Sequence, residues 1–303
     1  MSTNAMSTLR SGQLGIKAAK PRRAAAHRSC TVGCGAVHHP NFRQWPTGFG
    51  KELPPARRAR PEKTAHICRA SASAPVVPGL RNAEWTGSAR EVEALRQVEE
   101  RMKQSQYGAP STNTCKWFLR DRSFDVDETV DKLKRMMKWR TEFGVDDITD
   151  EMVAAEASTR KAELLHRVDA YRQPVVLVRV DKHVTGATPM DDSMRLCVHV
   201  VEQAVQQAEE SGTETILGIF DLGRFTTENA DISFAAFLID VFFTYYPKRL
   251  SQVLLVDAPW IFQPAWAVIK PLLRKYSALV RFVSSEEVRR EYFEPGSCPE
   301  EFL

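Results

Sequence analysis

Side chains able to do chemistry are thinly spread along this sequence. Asp181 and Asp221 each close an apolar run, the place where α/β folds present reacting groups. Neither has a nucleophile or a second carboxylate near it in sequence, so both read as loop-capping residues. His166, His183 and His199 do not fall at a metal-ligand spacing. Cys30, Cys34, His38 and His39 lie close together, but their spacing is irregular for zinc and no apolar surroundings orient them. Cys115, Cys197 and Cys298 are far apart, and Cys197 sits in an apolar helical pattern as a small buried hydrophobe would. Six cysteines in 303 residues do not make a disulfide framework. No GxxxxGK[ST], no GxGxxG after a strand, no GxSxG and no HExxH occurs. The expectation is a protein that is not an enzyme, with no catalytic residue, no metal and no cofactor.

The elements that must position whatever does act begin late in the chain. Residues 1–70 carry 13 Lys and Arg against two acids, a net +11, which leaves 71–303 with 29 basic and 36 acidic residues, a net −7. The mild overall charge of +4 therefore averages two different objects and points to no nucleic acid. The first, poor in acids and rich in Ser, Ala and Arg, has the composition of an organelle transit peptide. Residues 71–87, with Pro75 and Pro78, read as a linker. Helical spacing then runs from Ser88 to Gly144, with a start signal at Asp125 and Glu128 and a stop at Gly144. This predicts a small helical unit over 88–145.

From there strands and helices alternate. Short apolar runs at 175–180, 215–221, 253–256 and 280–283 predict buried strands, and 193–210, 232–246, 264–275 and 285–293 predict helices. Such alternation argues for an α/β domain over 150–295 with a largely parallel sheet and covering helices. The most apolar stretch, 232–246, is 15 residues long and contains Asp240. As a helix it would reach roughly 22 Å, short of a membrane core of about 30 Å. The segments 232–246 and 260–273 hold more apolar side chains than one sheet face can cover. Either they build a double-layered core, or some of them wall a cavity for a hydrophobic ligand.

Separate motifs bear on that choice. Residues 118–126, FLRDRSFDV, resemble the FLRARKFDV segment of the helical module in the CRAL-TRIO lipid-binding family. Lys138-Trp139-Arg140 follows one helix later. Residues 245–250, YYPKRL, resemble its YYPERL turn, and 257–262, DAPWIF, with Ile269-Lys270-Pro271-Leu272, resembles its NAPWIF and KPFL segments. Arg281-Phe282-Val283-Ser284 matches its last strand. The motifs stand in the family's order over 88–293.

The resemblance implies a four-helix amino-terminal module and an α/β domain with one apolar cavity. The expected walls are Ile216, Gly218, Phe220, Phe234, Phe237, Leu238, Val241, Phe262, Trp266, Ile269 and Leu279. Phe237 and Val241 are expected to face the cavity one helical turn apart. The helix after DAPWIF is implied to be a gate that opens at membranes, carrying Trp266, Ile269, Lys270, Arg274 and Lys275.

For the ligand, the departures from the family pattern decide. In phosphatidylinositol-transfer members a basic pair, the Glu of YYPE and a Lys before the last strand hold the headgroup. Here Arg122 remains, Ser123 follows it, Lys248 replaces the Glu and Leu279 stands at the Lys position. Hydroxyl positions that contact phosphatidylcholine fall on Ile216 and Gly218. A buried phosphate without partners costs several kcal/mol. Arg122 and Lys248 are the headgroup candidates, yet a prenyl lipid, carotenoid-like molecule, tocopherol or galactolipid fits this set better.

The expected function is a lipid-binding and transfer protein that meets membranes transiently. The alternative is a regulator whose bound lipid is structural and whose surface recruits a protein partner. The expected location is the plastid, peripheral to envelope or thylakoid membranes, in preference to the mitochondrion. If so, import removes the leader near 69–73. Amino-terminal sequencing of the organellar protein should find that cut, and an intact Met1 in the mature pool would contradict plastid import.

Overall fold

The computed structural model describes residues 80–303. The basic segment, its Cys/His cluster and most of the expected linker lie outside the described residues. Three helices come first: α1 (Ala89–Lys103), α2 (Thr112–Asp121) and α3 (Val126–Phe143). Ser88 and Glu91 form a reciprocal capping box on α1. Asp125 caps α3 by accepting from the Glu128 N–H at 2.8 Å. Glu128 does not complete that box; its carboxylate lies 3.8 Å from Arg122 instead. Gly144 ends α3 in the left-handed region, at φ 71°. Val98, Met102, Phe118, Leu119, Val130 and Leu133 form the core of this unit. Between α2 and α3 both Ser123 and Phe124 have positive φ, a costly pair of left-handed residues. Phe124 covers that cost in part by packing its ring 6.2 Å from Trp85.

A short helix, α4 (Asp150–Ser158), leads into a five-stranded sheet. Its strands are β1 (Ala162–Leu164), β2 (Val175–Arg179), β3 (Ile216–Asp221), β4 (Leu250–Val256) and β5 (Val280–Val283), ordered 1-2-3-4-5. β1 runs antiparallel to β2, and the other pairs are parallel. The parallel strands are joined through α5 (Met190–Glu210), α6 (Ile232–Asp240) and α7 (Gln263–Leu273), and α8 (Ser285–Tyr292) follows β5. Right-handed crossovers that always step the same way across a sheet lay their helices on one face. So α5, α6 and α7 share a face, and α8 with the carboxy-terminal segment covers the other.

That second face is filled. Val175, Leu177, Leu217, Ile219, Leu254 and Val256 pack against Val288, Tyr292, Phe293 and Phe302. Burying each such side chain stabilises by about 1.5–3 kcal/mol. The first face carries the alternate residues (period two along each strand). The register aligns Val176, Gly218, Val253 and Val280 in one row, and Val178, Phe220, Leu255 and Phe282 in the next.

Two local features displace the boundaries read from sequence. β4 begins at Leu250 rather than Val253, because a bulge opposite Ile216 and Leu217 breaks its alternation. Leu250 and Val253, three apart, consequently share a face. The helix expected through Tyr246 stops at Asp240 and continues as one π-turn, Val241–Tyr245.

Asp169, in the turn before β2, accepts from the backbone N–H groups of Tyr171 and Gln173 at 2.9 and 2.7 Å. Burial pushes its pKa up to about 6 despite those two bonds. The folded protein then binds a proton more tightly than the unfolded chain does, so stability falls as pH rises from about 4 to 6. Urea unfolding should show Asp169→Asn gaining on the parent between pH 4 and pH 7, by on the order of 1–3 kcal/mol. An equal difference at both pH values would show that Asp169 titrates normally.

Candidate functional site

The sheet face under the three crossover helices bounds a cavity of about 210 Å³, smaller than the roughly 300–1,000 Å³ usual for ligand pockets. Its floor is Val176 and Val178 of β2, Gly218 and Phe220 of β3, and Val253 and Leu255 of β4. Leu196, Cys197, Val200 and Val201 of α5 form one wall, and burial pushes the Cys197 thiol up to about 12. Ile232, Phe234, Ala235, Leu238 and Ile239 of α6 form the second. Phe262 with Ala265, Trp266, Ile269 and Leu273 of α7 forms the third. Every apolar side chain of α6 is only half-buried, although the helix is apolar nearly all round. Side chains in a close-packed layer would be buried outright; these border open space.

Gly218 is central to that space. A Cβ there would meet Leu250 Cδ2 at 3.5 Å, Gln252 O at 3.8 Å and Phe220 Cε2 at 3.8 Å, all ordinary contacts. One carbon fits, and anything longer enters the cavity.

Of the expected walls, Gly218, Phe220, Phe234, Leu238, Phe262, Trp266 and Ile269 line the cavity. Ile216, Phe237, Val241 and Leu279 do not. Ile216, Val241 and Leu279 are buried in the packed cluster beside it. Phe237 instead stacks between Phe143 and Phe234, at 6.0 and 6.1 Å. On a helix apolar all round, periodicity does not reveal which side faces the sheet. Val268 and Leu272, missed by sequence reasoning, form the outer face of α7 at 51% and 42% exposure. Trp260, at 83%, and Phe282, at 45%, extend this outward apolar surface. An i, i+4 search of α7 for a second apolar face would have found the first two. Lys270, Arg274 and Lys275 are exposed beside them.

Arg122 and Lys248 come together away from the cavity. Both meet the fully buried Asp121 carboxylate: Arg122 Nε at 2.9 Å and Lys248 Nζ at 3.4 Å, with Lys132 Nζ at 2.7 Å. Burial alone would raise the Asp121 pKa, but Lys132 and Arg122 hold it below the usual carboxylate range. Here the headgroup candidates serve as counter-ions of a protein carboxylate. Around them the helical unit is latched to the sheet domain. Trp117 Nε1 donates to Pro247 O at 2.8 Å, the Arg249 guanidinium lies 3.8 Å over the Trp117 ring, and Trp139 lies flat on Tyr245 at 4.0 Å. Arg140 donates to Glu202 at 2.7 Å, and Tyr246 donates to the same carboxylate.

Of the two strand-end carboxylates, Asp221 accepts from Gly223 N–H at 3.0 Å and Asp181 pairs with Arg224 at 3.0 Å. Among the described residues no group of His, Cys, Asp and Glu forms a metal-binding set, and no helix is long and apolar enough to cross a membrane.

A largely parallel sheet with an apolar cavity beneath its crossover helices, latched to a helical unit, defines the class of this α/β domain. Residues 158–302 match the CRAL/TRIO domain, so the chain carries a domain of the CRAL-TRIO family. It is 27% identical over 198 residues to the CRAL-TRIO domain-containing protein C3H8.02 of Schizosaccharomyces pombe, covering 59% of this chain and 44% of that protein. It is 25% identical over 248 residues to phosphatidylinositol transfer protein CSR1 of Eremothecium gossypii, covering 73% and 56%. Against the Sec14 cytosolic factor of S. pombe the identity is 27% over 174 residues, covering 52% and 60%. The matches thus span about half the length of these relatives. The crystal structure of Sfh5 shares the fold at a TM-score of 0.53 and 12% identity, over 69% of this chain and 85% of that one.

If Gly218 keeps the cavity open, Gly218→Ala should load a fluorescent apolar probe nearly as the parent does. Gly218→Phe should lose most loading with little change in thermal midpoint. A collapse of stability in Gly218→Phe would show a packed core at this point.

Proposed function

We propose that the protein binds a hydrophobic ligand and carries it between membranes, α7 acting as the movable wall. The observation that carries this reading is that α7 is apolar on both sides. Its inner face borders the cavity, and Val268 and Leu272 point outward beside Trp260. A helix in water gains nothing by exposing these side chains, whereas one that docks on a bilayer buries them. Pro271 removes a backbone donor inside the helix, and Arg274 at its end has φ 50°. Both loosen the point about which α7 would swing. The name of the CSR1 relative, a phosphatidylinositol transfer protein, supports lipid transfer as the class of activity. The reading includes no catalytic step, and it places the mature protein in the plastid because of the basic leader.

The net charge of −7 over 71–303 repels an anionic bilayer, so attraction has to be local. Lys270, Arg274 and Lys275 supply it, each near-surface cation contributing about 1 kcal/mol. Trp260→Ser with Leu272→Ser should slow lipid exchange between anionic vesicles about tenfold while leaving equilibrium loading unchanged. High salt should slow the parent as well, since exposed charges are screened over about 10 Å at 0.1 M. Unchanged exchange rates would remove α7 as the gate, and a bound lipid that never exchanges would favour the regulator instead.

A further inference from the structure

The cavity wall carries few polar side chains, and all but one have every polar atom engaged. Lys161 Nζ lies 2.6 Å from Glu156 and donates to Ser193 Oγ at 3.3 Å. Ser193 donates to Glu156 at 3.0 Å. Asn229 accepts from Thr226 N–H at 2.7 Å and donates to His183 O at 2.9 Å. Asp231 Oδ1 accepts from the Phe234 N–H at 2.9 Å, capping α6. The exception is His183: its Nδ1 is buried without a partner, and no other such atom among the described residues belongs to a cavity-lining side chain.

The surroundings fix which proton this ring carries. His183 Nε2 lies 3.2 Å from Asp231 Oδ2. A carboxylate only accepts, so Nε2 holds the hydrogen, and in the neutral form of the ring Nδ1 is a bare acceptor. The ring is held in place by stacking on Phe234 at 4.8 Å and 21°. Its backbone is tied to the loop before α6 by Asn229 and by a Thr185 N–H donating to Glu228 O at 2.9 Å. A buried acceptor left unpaired is costly, and the ring that carries this one lines the cavity.

We propose that His183 Nδ1 accepts a hydrogen bond from a hydroxyl on the cavity's occupant. Resting on the carrier reading, this narrows the ligand class to an uncharged lipophile bearing a hydroxyl group. A hydrocarbon leaves Nδ1 unpaired. A phosphate-bearing lipid brings its charge against Asp231, and the one lysine on the wall is already engaged by Glu156 and Ser193.

The test compares three probes of nearly equal size on delipidated full-length protein, each competing with a fluorescent apolar ligand: farnesol, its methyl ether and farnesene. The alcohol should bind about tenfold more tightly than the ether or the hydrocarbon. In His183→Leu the three should agree within about twofold, with farnesene affinity kept. Should that variant not fold, Asp231→Asn keeps the helix-cap acceptor while removing the carboxylate that sets the tautomer, and the preference should shrink there. Equal affinities in the parent, or a preference that survives both substitutions, would overturn the role of His183 and leave the carrier reading standing. Failure of all three probes to bind would overturn both.

Discussion

The architecture depends on a sheet that is apolar on both faces while only one face is filled by direct packing. Leu177, Ile219 and Leu254 meet α8 and the carboxy-terminal residues without a gap. On the opposite side, Val176, Gly218 and Val253 lie in one row with no side chain at its centre. Strand order forces α5, α6 and α7 to cover that row together. Rings and branched side chains on three helices hold the cover off the glycine, and the cavity results. The half-burial of α6 and the two-sided apolarity of α7 follow from the same geometry.

The helical unit matters because it braces one border of this arrangement. Its contacts converge on the turn between α6 and β4, where Trp117 and Trp139 meet Pro247 and Tyr245. Asp121 anchors three cations there. Removing such a buried carboxylate strands its partners, a loss of about 3–5 kcal/mol in comparable sites. With that border braced, α7 at the far end of the layer has a single buried side chain, Leu273.

Much of this was legible in the sequence. The apolar runs of β2 and β3 announced themselves because strands buried on both faces need no alternation. The motifs at 118–126, 138–140 and 245–250 were visible, and the structure gives their physical meaning as one interface between the helical unit and the sheet. The start of β4 was hidden by its bulge, and the three-residue β1 is too short to leave a pattern. Phe237 and Val241 were assigned to the cavity because pattern cannot orient a helix lacking a polar face. The unpartnered nitrogen of His183 left no trace at all, since its meaning depends on Asp231, 48 residues away.

The central claim, that ligand occupies the space between the Gly218 row and α7, is tested most directly by photoaffinity mapping. A diazirine-bearing long-chain alcohol would be loaded, irradiated and its adducts located by peptide mass spectrometry. The account predicts adducts on Val176, Val253, Phe234 and the inner face of α7 at Trp266 and Ile269. Adducts confined to the outer residues Trp260, Val268 and Leu272, or found on Leu177 and Ile219 of the filled face, would contradict it.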